Sequence, residues 1–347
     1  MIISKIDFIP YRIPFKSPFK TALNTYTFRE GVIIKIQSGN IFGFGETASL
    51  PGFSKETLTE TRHCLEGFSL ALEGKNEKLN LEDLLLLANA QSFDNPSALF
   101  GLETAIYDLF SQKDQIPIWK FFQDYAPEQI LFNGLENDIY KKIKFPVYKI
   151  KLIDKNIFNV KEKINHIQNK IGTNSKIRID ANGSLDLPRA IRLSKELEKF
   201  NIEYIEQPLP QEDLEDLAEL RLHTEIPIAL DESLTNLESA KKIIDHQAAD
   251  IFVLKPMLIG SFETSLDIIK FGNENNIDTV ITTTLGTEIE RHSCIHLAFA
   301  GNLKLSCGLA TSNLLLENVI KTPIIKSRIS KPIKSGLGIN PSQIPYL

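Results

Sequence analysis

PVYKIKL (146–152), KIRIDANG (176–183), IEYIEQP (202–208), PIALDES (227–233) and IFVLKPM (251–257) are five consecutive short apolar runs, each with charge at or near its end. The charged positions are Lys149 and Lys151, then Asp180, Glu206, Asp231 and Lys255. From Lys151 onward they are 29, 26, 25 and 24 residues apart. That interval holds one strand, one helix and their turns, the length of a right-handed βαβ crossover. Repeated crossovers make a parallel barrel, whose strands present their C-terminal ends at one mouth, where the chemistry of this architecture is found. Three acids flanked by lysines are therefore expected to face one another.

Outward from this ladder the same grammar continues. Candidate strands lie near 129–134, 146–152, 176–181, 202–206, 227–231, 251–255, 278–284 and 303–307, the eight that a barrel needs. Helix-like stretches such as Leu187 to Phe200 and Asn236 to His246 can cover its outside. The first connection is too short for a full helix, so an irregular corner is expected there. Upstream, IISKIDFIPYRI (2–13), GVIIKIQ (31–37) and IFGFGETASL (41–50) read as an antiparallel meander, the last two joined by Ser38-Gly39-Asn40. Residues 55–73, 80–91 and 96–113 carry helical spacing, with Pro96 at a helix start. The expected division is an α+β unit over 1–118, a barrel over 119–321, and a Pro- and Gly-rich segment, 322–347, packing back on the first unit.

With 347 residues, 42% of them hydrophobic and 24% charged, the chain can bury a substantial core. The net charge is −5, and no cluster of Lys or Arg offers a track for nucleic acid. Cys64, Cys294 and Cys307 are odd in number and form no CxxC pair, which points to neither a disulfide framework nor a structural zinc site, and fits a reducing cytoplasm. No sustained apolar segment opens the chain and no run of 18 apolar residues occurs, so a cytoplasmic protein without a membrane partner is expected.

Strand alternation puts Lys149 and Lys151 on one face, and Arg178 on the face of Asp180 and, if the strand continues, Asn182. Asp180, Glu206 and Asp231 are hard oxygen ligands of the kind that Mg2+ takes, with Mn2+ able to substitute, and no Cys or His accompanies them. Taken singly, Asp180 reads as an Asx turn before Gly183 and Asp231 as a cap of the following segment. Three acids at successive strand ends, with lysines at two more, argue for a joint role. A lysine beside a second ammonium and a dication has its charged form disfavoured and can act as a base toward a proton next to a carboxylate. A metal on that carboxylate stabilises the charge as it develops.

In this order, KxK, Asp, Glu, Asp and Lys on five successive strands, the chain resembles the enolase superfamily in its muconate-lactonizing subgroup. GLETAIYDLFSQKDQIPIWKFF (101–122) is similar to that family's helix and linker into the barrel. The resemblance implies a modified TIM-like (β/α)7β barrel with an α+β capping domain. Within the subgroup, RIDANGS, LKPMLIGS and CGLATSNLL are most similar to o-succinylbenzoate synthases. Dipeptide epimerases of the subgroup typically carry Asp-x-Asp where this chain reads CGLATSN (307–313). Mandelate-racemase-like enzymes use a seventh-strand histidine where it reads VITTTLG (280–286), and His292 reads as a helix residue.

What the resemblance implies is Mg2+-dependent dehydration of 2-succinyl-6-hydroxy-2,4-cyclohexadiene-1-carboxylate to 2-succinylbenzoate, a step of menaquinone synthesis. Lys151 would take the α-proton, Lys149 would lower its pKa, and Lys255 would stay charged and stabilise the enediolate. Asn182 and Glu232, beside the ligands, would support the cradle. The implied partner is a small carboxylate, bound by a monomer or a homo-oligomer. Gly260, Ser261, Thr282, Thr283 and Thr284 read equally as substrate contacts or as helix start and strand filler. Arg178 reads equally as a carboxylate contact or as a salt bridge to Asp180 or Glu206. The loops around Phe19 to Arg29 and Gly52 to Ser54 are similar to the family's specificity loops. N-acylamino acid racemase or dipeptide epimerase activity is the alternative from the same machinery. A non-catalytic binding protein on the same fold is the alternative of another class, against which six intact charged residues speak.

Overall fold

The computed structural model describes residues 1–20, 25–75, 77–154, 156–311, 314–316 and 327–339. The chain opens with β1 (Lys5–Lys20), β2 (Thr25–Ser38) and β3 (Ile41–Thr47), an antiparallel sheet in the order β1-β2-β3. Period-two alternation in β2 divides its side chains: Val32, Ile34 and Ile36 pack with the helices α1 (Leu58–Leu72), α2 (Leu81–Gln91) and α3 (Pro96–Asp114), and Ile33 packs with the larger core. Reciprocal caps start two of these helices, Thr57 with Glu60 and Asn80 with Asp83, and Pro96 starts the third. The GFG of β3 has a steric cause. A Cβ at Gly43 or Gly45 would overlap the α3 backbone at Ala105 or Gly101, so only glycine lets the sheet and helix approach this closely.

The barrel follows. β4 (Gln129–Leu131) and β5 (Gly134–Leu135) lead into a 3-10 turn, Glu136–Tyr140, which is the irregular corner in place of a helix. Then come β6 (Val147–Lys151), α4 (Ile157–Ile171), β7 (Lys176–Asp180), α5 (Leu187–Leu197), β8 (Ile202–Glu206), α6 (Leu214–Leu222), β9 (Ile228–Leu230) and α7 (Leu237–Asp245). The series ends with β10 (Ile251–Leu254), a single turn α8 (Pro256–Ile259), α9 (Phe262–Glu274), β11 (Asp278–Ile281) and α10 (Glu288–Ala300).

β5 through β11 pair in parallel in sequence order, and Lys151 stands level with Asp180, and Asp180 with Glu206. The sheet closes through parallel bridges from Phe132 to Cys307 and from Thr282 to Gly308. The eighth position is thus two bridging residues rather than the expected strand over 303–307. The seventh strand stops at Ile281, which leaves Thr282 to Thr284 in the loop at the mouth.

Of the C-terminal segment, residues 327–339 are described. β12 (Arg328–Ser330) pairs antiparallel with β4. Further on, Leu337 N donates to Asp108 Oδ1 (2.8 Å) and Ser335 Oγ to Gln112 Oε1 (3.0 Å), both on α3. The remainder of the expected segment lies outside the described residues. Among the described residues no helix is long and apolar enough to cross a membrane.

Candidate active site

Alternation along each barrel strand sorts the charges from the core. On β6 the side chains of Tyr148 and Ile150 are buried in the core, while Lys149 and Lys151, on the other face, enter a cavity of about 280 Å3 at the strand ends. Asp180 at the end of β7, Asp231 just after β9 and Lys255 just after β10 line the same cavity. Lys151 and Lys255 sit on strands four places apart in a curled sheet, so they approach from opposite walls with the carboxylates between them.

Each acid is held by a lysine. Lys149 Nζ lies 2.9 Å from Asp180 Oδ2 and 2.7 Å from Glu206 Oε1, and Lys151 Nζ lies 2.6 Å from Asp180 Oδ2. Lys255 pairs with Asp231 and stands 5.1 Å from the centre of the Phe53 ring, which descends from the cap. Burial alone pulls the Lys149 ammonium down, but Asp180 and Glu206 more than offset it and hold its pKa well above the ordinary value. Burial opposes the Lys255 charge too, and Asp231 and Glu232 reverse the effect. Asp180 is pressed below the ordinary carboxylate range: burial raises it, but Lys149 and Lys151 prevail. Glu206 goes the other way, to about 8, through burial and the nearby Asp180.

The donor set accommodates a hard cation in one respect and resists it in another. Glu206 is fully buried, and its Oε2 has no hydrogen-bond partner among the described residues. Burial, and then the neighbouring Asp180, disfavour its negative charge, an imbalance that a dication would relieve. As they stand, however, no three Asp, Glu, His or Cys side chains among the described residues are arranged around an ion position. Lys149, Lys151 and Lys255 hold the oxygens, and a metal would require them to cede contacts.

The supporting residues fall into place around this core. Asn182 accepts from Lys151 Nζ (2.6 Å) and donates to Glu232 Oε1 (2.8 Å), and its N–H donates to Asp180 Oδ1 (3.1 Å), the Asx turn that the sequence suggested. Gln207 was not among the expected residues. Its Oε1 accepts from the N–H groups of Asp231 (3.1 Å) and Ser233 (3.2 Å), which fixes the loop that carries Asp231. A signal was present: a buried amide directly after the Glu206 strand end, before Pro208. Asn182 and Gln207 both adopt left-handed backbone (φ 44 and 38), where the chain turns out of its strand.

Thr282, Thr283 and Thr284 line the cavity, whereas Gly260 and Ser261 do not. Gly260 (φ 96) packs against Pro96 of α3 and Ser261 caps α9, so both belong to the seam with the cap. Arg178 also requires correction. It shares the inward face with Asp180 but lies one layer deeper, donating to Glu203 (2.6 Å), Asn133 Oδ1 (3.1 Å) and Ser306 O (2.7 Å), and it pairs with neither Asp180 nor Glu206. His292 is on α10, bonded to Leu337 O (2.9 Å), as expected of a helix residue. From the cap, Phe19, Tyr26 and Phe53 reach the cavity, while residues 21–24 of the first expected loop lie outside the described residues.

This chain belongs to the enolase superfamily: residues 136–344 match the enolase C-terminal domain-like family. Residues 4–109 match the MenC N-terminal domain, and the arrangement is consistent with the muconate-lactonizing subgroup. An o-succinylbenzoate synthase of Bacillus subtilis (strain 168) is 27% identical over 93% of this chain and 90% of that protein. One from Thermobifida fusca (strain YX) is 31% identical over 50% of this chain, a match spanning about half of that relative's length (53%). Among solved structures, a dipeptide epimerase from Enterococcus faecalis V583, complexed with Mg and the dipeptide L-Leu-L-Tyr, superposes with a TM-score of 0.88 at 24% identity, covering 97% of this chain and 99% of that one. Racemases, epimerases and a cycloisomerase are similar at comparable identity, so the superfamily is defined more sharply than the reaction.

Proposed function

We propose that this chain is an o-succinylbenzoate synthase, a lyase that dehydrates 2-succinyl-6-hydroxy-2,4-cyclohexadiene-1-carboxylate to 2-succinylbenzoate in menaquinone synthesis. The observation that carries the reading is the pair of opposed lysines across one cavity whose wall at Gly308, Ala310 and Thr311 is uncharged, while Glu136 on another side is paired with Lys163 (2.8 Å). A free amino group on a substrate would find no acid at the uncharged wall, whereas a carboxylate-bearing ring finds lysines on both sides. The match of the cap to the MenC N-terminal domain supports the same choice.

Lys151, in its neutral form, takes the proton from the carbon next to the carboxylate. The hydroxyl on the adjacent carbon then leaves as water with a proton returned from the Lys151 ammonium, and the ring becomes aromatic. Lys255 remains an ammonium and stabilises the negative charge of the enediolate from the opposite wall. Lys149 sits between Asp180 and Glu206 and adds a positive charge beside Lys151. Asp180, Glu206 and Asp231 would hold Mg2+, or Mn2+ in its place, and the bound ion would supply positive charge to the substrate carboxylate as the proton leaves.

The division into a capping unit (1–118), a barrel (119–321) and a returning segment (322–347) is part of this proposal, as is a cytoplasmic setting, which suits three unpaired thiols. Racemisation of N-succinylated amino acids is the second reading, favoured by the same two opposed lysines, and it too needs no acid for a free amine. Incubation with the cyclohexadiene substrate and Mg2+ tests the first, by appearance of the aromatic product. Deuterium incorporation at the α-carbon of N-succinyl amino acids in heavy water tests the second.

A further inference from the structure

Two buried carboxylates meet where the cap rests on the barrel, and neither belongs to the cavity. Glu46, near the end of β3, accepts from Tyr11 Oη in the cap, and across the seam from Thr287 N (2.8 Å) and Glu290 N (3.0 Å). It therefore closes the exposed N–H groups of α10 from another domain, with its charge at the positive end of the helix. Glu290 then turns back along the loop. Its carboxylate accepts from Thr284 N, Thr284 Oγ1 and Gly286 N, each at 2.6 Å. Both carboxylates converge on Gly286, where a Cβ would collide with each, and Leu285 beside it is held in left-handed backbone (φ 65). The loop so gripped is the one that presents Thr282, Thr283 and Thr284 to the cavity.

We propose that Glu46 and Glu290 form an interdomain latch that sets the Thr282–Leu285 wall of the cavity, making both of them positioning residues for substrate selection. Sequential bonds run from the cap sheet to Glu46, to the first turn of α10, to Glu290 and to the threonine loop, with no contact to the mouth lysines among them. Burial, then the neighbouring Glu46, pushes the Glu290 carboxyl up to about 7, as expected of two acids sharing one buried place. Arg29 is the cation beside them, itself anchored on Ser49 O (2.9 Å). The proposal rests on reading the cavity as the substrate site.

The test uses the full-length enzyme and its isosteric variants Glu46→Gln and Glu290→Gln, with hydrogen–deuterium exchange and steady-state kinetics on the cyclohexadiene substrate. Each variant gives up charge-assisted bonds, so exchange at the amides of 284, 286, 287 and 290 should rise about tenfold or more over the wild type. KM should rise by a similar factor while kcat changes about threefold at most, a split that simple loss of folded enzyme does not produce. Unchanged exchange in this loop, or a fall in kcat with KM unmoved, overturns the latch. Should Glu46→Gln fail to fold, Tyr11→Phe removes a single donor to Glu46 and must still speed exchange at 287 and 290; if it does not, the latch is overturned. Wild-type enzyme that leaves the cyclohexadiene untouched would refute the synthase reading, and the exchange measurements would still decide the latch.

Discussion

The mouth of the barrel and the seam beneath the cap both bury acids, but they satisfy them differently. At the mouth, Asp180, Glu206 and Asp231 are met by the ammonium groups of Lys149, Lys151 and Lys255. At the seam Glu46, Glu103 and Glu290, and within the cap Asp108, are met mainly by backbone N–H groups, such as Phe262 N on Glu103 and Phe44 N on Asp108, both at 2.8 Å. Lysine side chains can move and exchange partners, which is what the proposed entry of a metal and a substrate at the mouth requires. Backbone donors are fixed by the helices and strands that carry them, so the seam holds the cap in one position. Chemistry is expected where charges are paired with mobile groups, and geometry is set where they are paired with the main chain.

The largest effect expected of this contrast is at the base. Lys151→Ala should lower kcat at least about a thousandfold, the upper part of the range for general base catalysis, with thermal stability close to wild type. An equivalent loss of stability would place Lys151 on the structural side. Next, Glu206→Gln should abolish Mg2+ dependence: chelation by EDTA inactivates the wild type, added Mg2+ or Mn2+ restores it, and the variant stays inactive throughout, as read by turnover and by calorimetric titration with Mg2+ alone.

The seam should reveal itself through pH. Burial raises Glu103 from 4.5 to about 7, so the folded state binds this proton more tightly than the unfolded chain. The stability it contributes is present below pH 4.5 and is lost as pH rises through about 7, a slope that Glu103→Gln should flatten, by on the order of 3 kcal/mol at most. Urea melts between pH 5 and 8 measure it. Asp108, raised by burial to about 6, adds a slope of the same sign at lower pH. The smallest effect is expected at Phe53→Leu, which removes the ring from Lys255 and should cost several-fold in kcat/KM, the scale of one partly exposed cation–π contact.

The ladder of charges was readable in the sequence because it depends on two short-range periods, two residues along a strand and about 25 along the chain for each crossover. Lys149, Lys151, Asp180, Asp231 and Lys255 reach the cavity for that reason, with Glu206 buried beside them, while the threonines at 282–284 line it from the loop after β11. Alternation gives the face of a residue but not its depth. Arg178 was therefore placed on the correct side of β7 and one layer too high. Gly260 and Ser261 follow Lys255 closely in sequence, yet the single turn α8 carries them away to Pro96 and the cap. The Glu46–Glu290 pair was invisible for a different cause. Its partners lie across the fold, as Glu46 and Thr287 do at a separation of 241 positions, and no local pattern encodes such a meeting.

The central claim is that opposed lysines across a carboxylate cradle perform a metal-dependent dehydration. The most direct measurement is the rate of 2-succinylbenzoate formation from the cyclohexadiene substrate by wild type and Lys151→Ala, each with and without Mg2+. Rapid formation by the wild type with Mg2+ alone is the predicted result, and metal-independent turnover, or full activity in Lys151→Ala, would contradict it.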